Sequence, residues 1–184
     1  MAYSSRVKDA LDDIVTELET ITAANGYYTA PTIVRAIRSA ESIVVPPEIG
    51  VEMGEEEMKP IDDNATVFDS DVNVYVVGTT SANTALDSDS SELVDATEKL
   101  RHDIKRVIAG MFYKYAPTTN SRLRWNVMKG TLIIIPVMRL GDKRNKAQIW
   151  ARFKIKVRRQ GSATLAAGHG EEGFGEAGAG FYGF

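Results

Sequence analysis

The chain has 184 residues, no cysteine, two histidines, 43% hydrophobic and 26% charged residues. A length and composition of this kind can support one core, so the chain reads as a single globular domain with appendages rather than as a disordered protein. The missing thiols exclude disulfide frameworks, thiolate metal sites, iron–sulfur clusters and cysteine nucleophiles. The net charge of −3 hides a strong polarity. Residues 1–100 carry 6 Lys+Arg against 20 Asp+Glu, a balance of −14, whereas residues 101–160 carry 16 against 2, a balance of +14. Such blocks can neutralise each other within one chain. They can also present a basic surface to nucleic acid, or form complementary flanks through which copies attract one another head to tail.

From the N-terminus, Val7, Leu11, Ile14, Leu18 and Ile21 recur at steps of four and three, which predicts an amphipathic helix over 5–23, stopped by Asn25-Gly26. Residues 1–6 lead straight into this charged, periodic segment and read as no signal peptide. No apolar run reaches the ~20 residues of a membrane span. Residues 32–39 read as a short strand. Pro46-Pro47 suits an edge or a connection. Residues 52–63, with Glu55, Glu56, Glu57, Asp62 and Asp63, read as a solvated acidic loop or hairpin tip. Residues 66–78 predict a strand in which Val72, Val74 and Val76 alternate with Asn73, Tyr75 and Val77.

A Ser/Thr/Asn/Asp-rich loop over 79–90 precedes a long helix over 90–114. Its buried stripe is Leu93, Thr97, Leu100, Ile104, Val107, Ile108, Met111 and Phe112. Acids early and bases late in this segment match the helix dipole. Residues 125–160 read as an antiparallel hairpin. Its first strand, 125–140, carries the buried run Leu132-Ile133-Ile134-Ile135, and Pro136 marks a bulge or an edge. Its turn holds Lys143, Arg144 and Lys146. In its second strand Ile149, Ala151, Phe153, Ile155 and Val157 face one way, and Gln148, Trp150, Arg152, Lys154, Lys156 and Arg158 the other. The tail, 161–184, holds 8 of the 15 glycines together with Phe174, Phe181, Tyr182 and Phe184. It cannot build a core and reads as an arm that docks through its aromatic residues.

Motifs with chemical meaning are sparse. Residues 168–173 match GxGxxG by letters but follow no strand–turn–helix unit. Residues 87–98 space oxygen side chains as an EF-hand does, yet Glu92 occupies the position that requires glycine. His102-Asp103 lies within the long helix, and nothing fixes a nucleophile elbow beside it. Asn64-Ala65-Thr66 is a glycosylation triplet without meaning unless the chain is secreted. The sequence therefore leads to the expectation of no catalysis, no cofactor and no metal.

The order of these elements resembles the tail-terminator (tail-completion) proteins of long-tailed bacteriophages. The resemblance lies in the helix over 7–21, the segment 46–58 feeding into 67–78, the helix over 92–112 and the hairpin over 132–157, and it covers about residues 5–160. It implies an α+β domain with a mixed or antiparallel sheet flanked by helices. With the elements read above this gives about five strands, two main helices and a terminal β-hairpin, and the Gly-rich C-terminal arm lies outside the resemblance. It implies a homo-oligomer, a ring of six in the neck of a virion, assembled in the host cytoplasm. The ring would cap the tail tube protein and join it to a head-completion or connector protein. Genomic DNA would pass through the lumen without sequence-specific binding, and no membrane is involved. On this reading Arg152, Lys154, Lys156, Arg158, Lys143, Arg144 and Lys146 form an intersubunit or lumen-facing basic stripe. Glu55, Glu56, Glu57, Asp62 and Asp63 are their partners on the adjacent copy, and Phe174, Phe181, Tyr182 and Phe184 dock the arm. A neighbouring connector layer of the neck and a DNA-binding module using the basic hairpin face are the alternatives.

Overall fold

The computed structural model describes residues 6–60, 67–82, 91–116, 125–140 and 145–160. Helix α1 spans Arg6–Glu19 and buries Ala10, Ile14, Val15 and Leu18. A 3-10 turn, Ala23–Asn25, follows it. Gly26 closes that turn at a φ of 74°, which costs an L side chain but not glycine. Strand β1 (Thr32–Val34) and a second 3-10 turn (Ala40–Ser42) lead to β2 (Glu48–Pro60) and β3 (Val67–Ser81). Helix α2 covers Ser91–Lys114, and β4 (Trp125–Val127), β5 (Ile133–Leu140) and β6 (Lys146–Gln160) complete the fold.

The strand order is β1-β2-β3-β6-β4, with β5 also paired to β6. Strand β1 runs parallel to β2, and every other pair is antiparallel. The fold is α+β, a mixed sheet of six strands with two helices. Both helices lie on one face. Val72, Val74 and Val76 of β3 pair with Ile155, Phe153 and Ala151 of β6. These six are buried in one cluster with Ile14, Leu18, Leu100, Ile104 and Ile108. Burying side chains of this size contributes about 1.5–3 kcal/mol each, so this face carries the stability. Gly78 lets α2 approach: a Cβ there would lie 2.7 Å from Ile104 Cδ1 and 3.0 Å from Leu100 Cδ2.

Polar anchors fix the helices in place. Asp103 is fully buried and accepts hydrogen bonds from the Tyr28 and Thr29 backbone N–H groups and the Thr29 hydroxyl, at 3.2, 2.8 and 2.7 Å. Its carboxylate thus holds the chain between α1 and β1 against α2, with His102 Nδ1 3.7 Å from Asp103 Oδ1 and the His102 ring edge-on to Tyr28. Arg106 donates to the Gly26 carbonyl at 2.8 Å and lies over the Tyr27 ring. At the far end Tyr115 stacks on Trp125 with ring centroids 4.2 Å apart. The Trp125 indole N–H donates to Asp13 at 2.8 Å, and the Tyr115 hydroxyl donates to Glu17 at 3.0 Å. Burial, followed by the Glu17 carboxylate, pushes the Tyr115 hydroxyl well above the ordinary tyrosine range.

Several sequence expectations are corrected. The strand expected over 32–39 stops at Val34, because the chain then turns across the sheet and Ala36 O comes to lie over Gly50. Residues 52–60 of the acidic segment are strand rather than loop: β2 runs through Glu55, Glu56 and Glu57 to Pro60, paired with β3 on either side of a register shift between Met53 and Glu56. The expected strand 125–140 is two strands, β4 and β5, set end to end on one edge of β6. Within it Ile133 and Ile135 are 46% and 43% exposed rather than buried, since they project from the face opposite the helices. The register of β5 shifts between Ile135 and Met138, which brackets Pro136. Gln148 is buried, bonded to the Arg38 carbonyl and the Thr79 hydroxyl, both at 3.2 Å.

Candidate interaction face

The second face of the sheet carries no helix, and its cross-strand rows can be read from the register. At one end lies the row Glu48, Thr79 and Gln148, all three buried. The chain around residues 36–43 covers this end. Lys146 donates to the Ala40 and Ile43 carbonyls at 2.9 and 2.8 Å, and Arg38 reaches Glu48 at 3.5 Å. Lys146 is thus a fastener for its own chain, and the expectation that it belongs to an intersubunit stripe is corrected.

At the other end of the face the charges pair within the sheet. The rows are Glu57, Asp71 and Lys156, then Lys59, Asp69 and Arg158. Arg158 Nε donates to Asp69 at 3.1 Å. Lys156 lies 3.7 Å from Asp69 and 3.9 Å from Asp71. Lys59 lies between Glu57 at 3.3 Å and Asp71 at 3.4 Å. Glu57, and after it Asp71, hold the Lys59 ammonium above its ordinary pKa of 10.5. Two of the four basic residues in the stripe Arg152, Lys154, Lys156 and Arg158, namely Lys156 and Arg158, therefore meet acids of their own chain. Reading the sequence alone overlooks Asp69 and Asp71. The signal that could have found them is the period-2 pattern of β3, which places Asp69, Asp71, Asn73 and Tyr75 on one side.

The middle of the face differs. One row runs Glu52, Tyr75, Arg152, Ile133 from β2 across to β5. It passes from acid through an aromatic ring to a cation and an aliphatic edge. Among the described residues, Glu52, Glu55, Arg152 and Lys154 make no ion pair. Tyr75 packs on Gly54, where a Cβ would lie 2.3 Å from the ring atom Cε2. Beside this row, Asn73 Oδ1 and Trp150 Nε1 are buried with no hydrogen-bond partner among the described residues. The next row, Gly50, Val77, Trp150 and Ile135, places the second exposed isoleucine beside the first.

Both margins of the middle region are open. Strand β1 pairs only with Glu48, Ile49 and Gly50, so beyond Gly50 the outer edge of β2 has no strand partner among the described residues. From Gly54 to Pro60 this edge is exposed. The outer edge of β5 is likewise unpaired among the described residues. Of the remaining expected site residues, Asp62, Asp63, Lys143, Arg144, Phe174, Phe181, Tyr182 and Phe184 lie outside the described residues.

Other features are chemically plain. A groove of about 560 Å³ at the C-terminal end of α2 is lined by Phe112, Tyr113, Leu132 and Lys129 among others, with Lys129 its one charged side chain among the described residues. Among the described residues no group of three or more His, Asp or Glu side chains could hold a metal ion. No described helix is long and apolar enough to cross a membrane. No protein-family model matches the sequence, and no curated protein matches it.

Proposed function

We propose that this chain is a structural ring subunit of a bacteriophage neck, a tail terminator. Six copies associate head to tail, cap the tail tube, and give the head-completion proteins a surface, with DNA passing through the lumen. The observation that carries this reading is the pair of unlike margins of one sheet face, acidic and unpaired at β2, cationic and aliphatic at β5 and β6. Such margins suit a heterologous contact, the kind that generates rings. They are poorly suited to a two-fold contact, which would bring like against like. The α+β architecture, a mixed sheet with two helices, agrees with what the resemblance implies. The alternative of a DNA-binding module draws less support, because Lys156 and Arg158 are already engaged by Asp69 and Asp71. An adjacent connector layer of the neck would use the same margins.

The test is native mass by light scattering over a range of protein and salt concentrations, with negative-stain electron microscopy, and tube length in co-expression with the tube protein of the same genome. A closed ring of six with an axial opening, and tubes of restricted length, is the expected result. A single-chain mass at every concentration, with tube length unchanged, overturns the reading. Removing residues 161–184 is expected to leave the ring intact and weaken its attachment, which co-sedimentation with tubes measures.

A further inference from the structure

Resting on the ring reading, we infer that the contact between copies is an edge-to-edge junction of the open face, in which the β5–β6 margin of one copy receives the outer edge of β2 from the next. The occupant of the exposed Ile133/Ile135 patch is thus a second copy of this chain, through Glu52 and Glu55.

Three observations converge on this pairing. First, the two margins are both open. An unpaired strand presents a row of N–H and C=O groups, and such a row is a template for another strand. Second, they are chemically opposite. The β2 edge offers Glu52 and Glu55, exposed and without ion pairs among the described residues. The β5–β6 margin offers Arg152 and Lys154, also without ion pairs there. Acids on an edge deter a second acidic edge and admit a basic one, so the pattern selects its partner as well as attracting it. Third, the β5 margin carries two aliphatic side chains, Ile133 and Ile135, nearly half exposed and adjacent on one face. Burial of these, together with backbone pairing, supplies affinity, while the charges set register.

The arrangement also explains why Glu52 and Arg152 do not satisfy each other. They share one row but are separated by the strand that carries Tyr75, roughly 10 Å at the usual interstrand spacing. A neighbouring β2 beside β5 would bring a carboxylate to Arg152 from the other side. Repeated around a ring, every copy then offers one margin and accepts the other.

The decisive experiment uses two charge-reversed full-length variants, E52K/E55K and R152E/K154E. Each alone has two margins of one sign, and its half-assembly concentration should rise roughly tenfold or more. An equimolar mixture should regain the parent's mass by light scattering. If either variant alone assembles like the parent, or the mixture stays dissociated while both variants melt like the parent, the junction is elsewhere and the inference falls, leaving the ring reading in place. If the parent itself is monomeric throughout, this junction falls, and with tube length also unchanged the ring reading falls with it. Should a reversed variant fail to fold, the cysteine-free background allows a second measurement. The double variant E55C/I133C should give a disulfide-linked ladder under oxidation that ends at the ring size. A product that stays a single chain, from protein shown by scattering to be assembled, overturns the junction.

Discussion

The open face of the sheet contains two regions built from the same residue types with opposite outcomes. At the outer end, acid and base alternate across strands: Glu57 and Lys59 on β2, Asp69 and Asp71 on β3, Lys156 and Arg158 on β6, each within reach of an opposite charge. A few residues away, Glu52, Tyr75, Arg152 and Ile133 form a row in which the aromatic strand keeps acid and base apart. The difference lies in what β3 contributes. Where it places a carboxylate between two cations, the face is closed electrostatically. Where it places Tyr75, the charges on either side are left for something outside the chain. The block polarity of the sequence is therefore partly consumed inside the monomer and partly retained, and the register decides which part is which.

The largest effect that separates the two regions is expected from charge reversal. In Asp71→Lys a third ammonium would stand between Lys59 and Lys156 on a largely buried position. A loss of about 1–3 kcal/mol is expected, from broken pairs and repulsion together. In a chain of this size that is a fall of roughly 2–4 °C in Tm per kcal/mol. Arg152→Glu, two rows away on the same face, should change monomer stability by no more than about 0.5 kcal/mol. Urea unfolding at concentrations where the mass is that of one chain measures both. Equal losses at the two positions would erase the distinction between a self-paired and an unpaired region.

A smaller effect tests the aromatic divider itself. Gly54 lies in the stretch of β2 where the register with β3 shifts, between Met53 and Glu56, and the Tyr75 ring lies against it. Gly54→Ala forces the ring aside and should cost about 1 kcal/mol. In a Tyr75→Ala background the same substitution should cost close to nothing, because the three nearest atoms to a Cβ there all belong to that ring. A cost unchanged by removing the ring would show that the glycine serves the bulge backbone rather than the packing.

How far the sequence could be read follows the same division. The helix-side face was legible: Val72, Val74 and Val76 on β3, and Ile149 to Val157 on β6, are buried as their period of two predicts, and both helical stripes face them. That face is set by local alternation and a nonlocal core that any apolar residue can join. The open face was legible only in part. The basic side of β6 was visible, but its partners depend on pairing with β3, and register is a nonlocal property that composition does not encode. Glu55 to Glu57 looked like loop because charge runs favour solvent. An edge strand meets the same requirement while keeping its backbone paired on one side. The surroundings of Lys146 and Asp103 were illegible for a related reason. Each has surroundings supplied by a segment about 75 or more residues away, Ala40 and Ile43 for the one, Tyr28 and Thr29 for the other. Residues facing a distant loop carry no local sign of it.

The smallest effect concerns the Lys59 ammonium, at alkaline pH and at raised salt. Glu57 first, then Asp71, raise the Lys59 pKa in the folded chain above its ordinary 10.5. A group whose folded pKa is raised adds stability that is fully present below the unfolded pKa and disappears as pH rises through the folded one. The stability difference between the parent and Lys59→Met should therefore stay level from neutral pH to about pH 9 and shrink above 10.5. The side chain is solvent-exposed, so salt should reduce the same difference at neutral pH. Lys154→Met, in the unpaired region, should show no such salt dependence in the monomer, since no carboxylate of its own chain among the described residues reaches that ammonium. Urea midpoints at pH 7, 9 and 11 for Lys59→Met and the parent, and at low and high salt for both variants, provide the measurement. A level difference for Lys59 across that range would remove Glu57 and Asp71 as its partners in solution. Parallel behaviour of Lys154 would mean that the middle of the face is also closed by its own chain, and with it the margin offered to a neighbour.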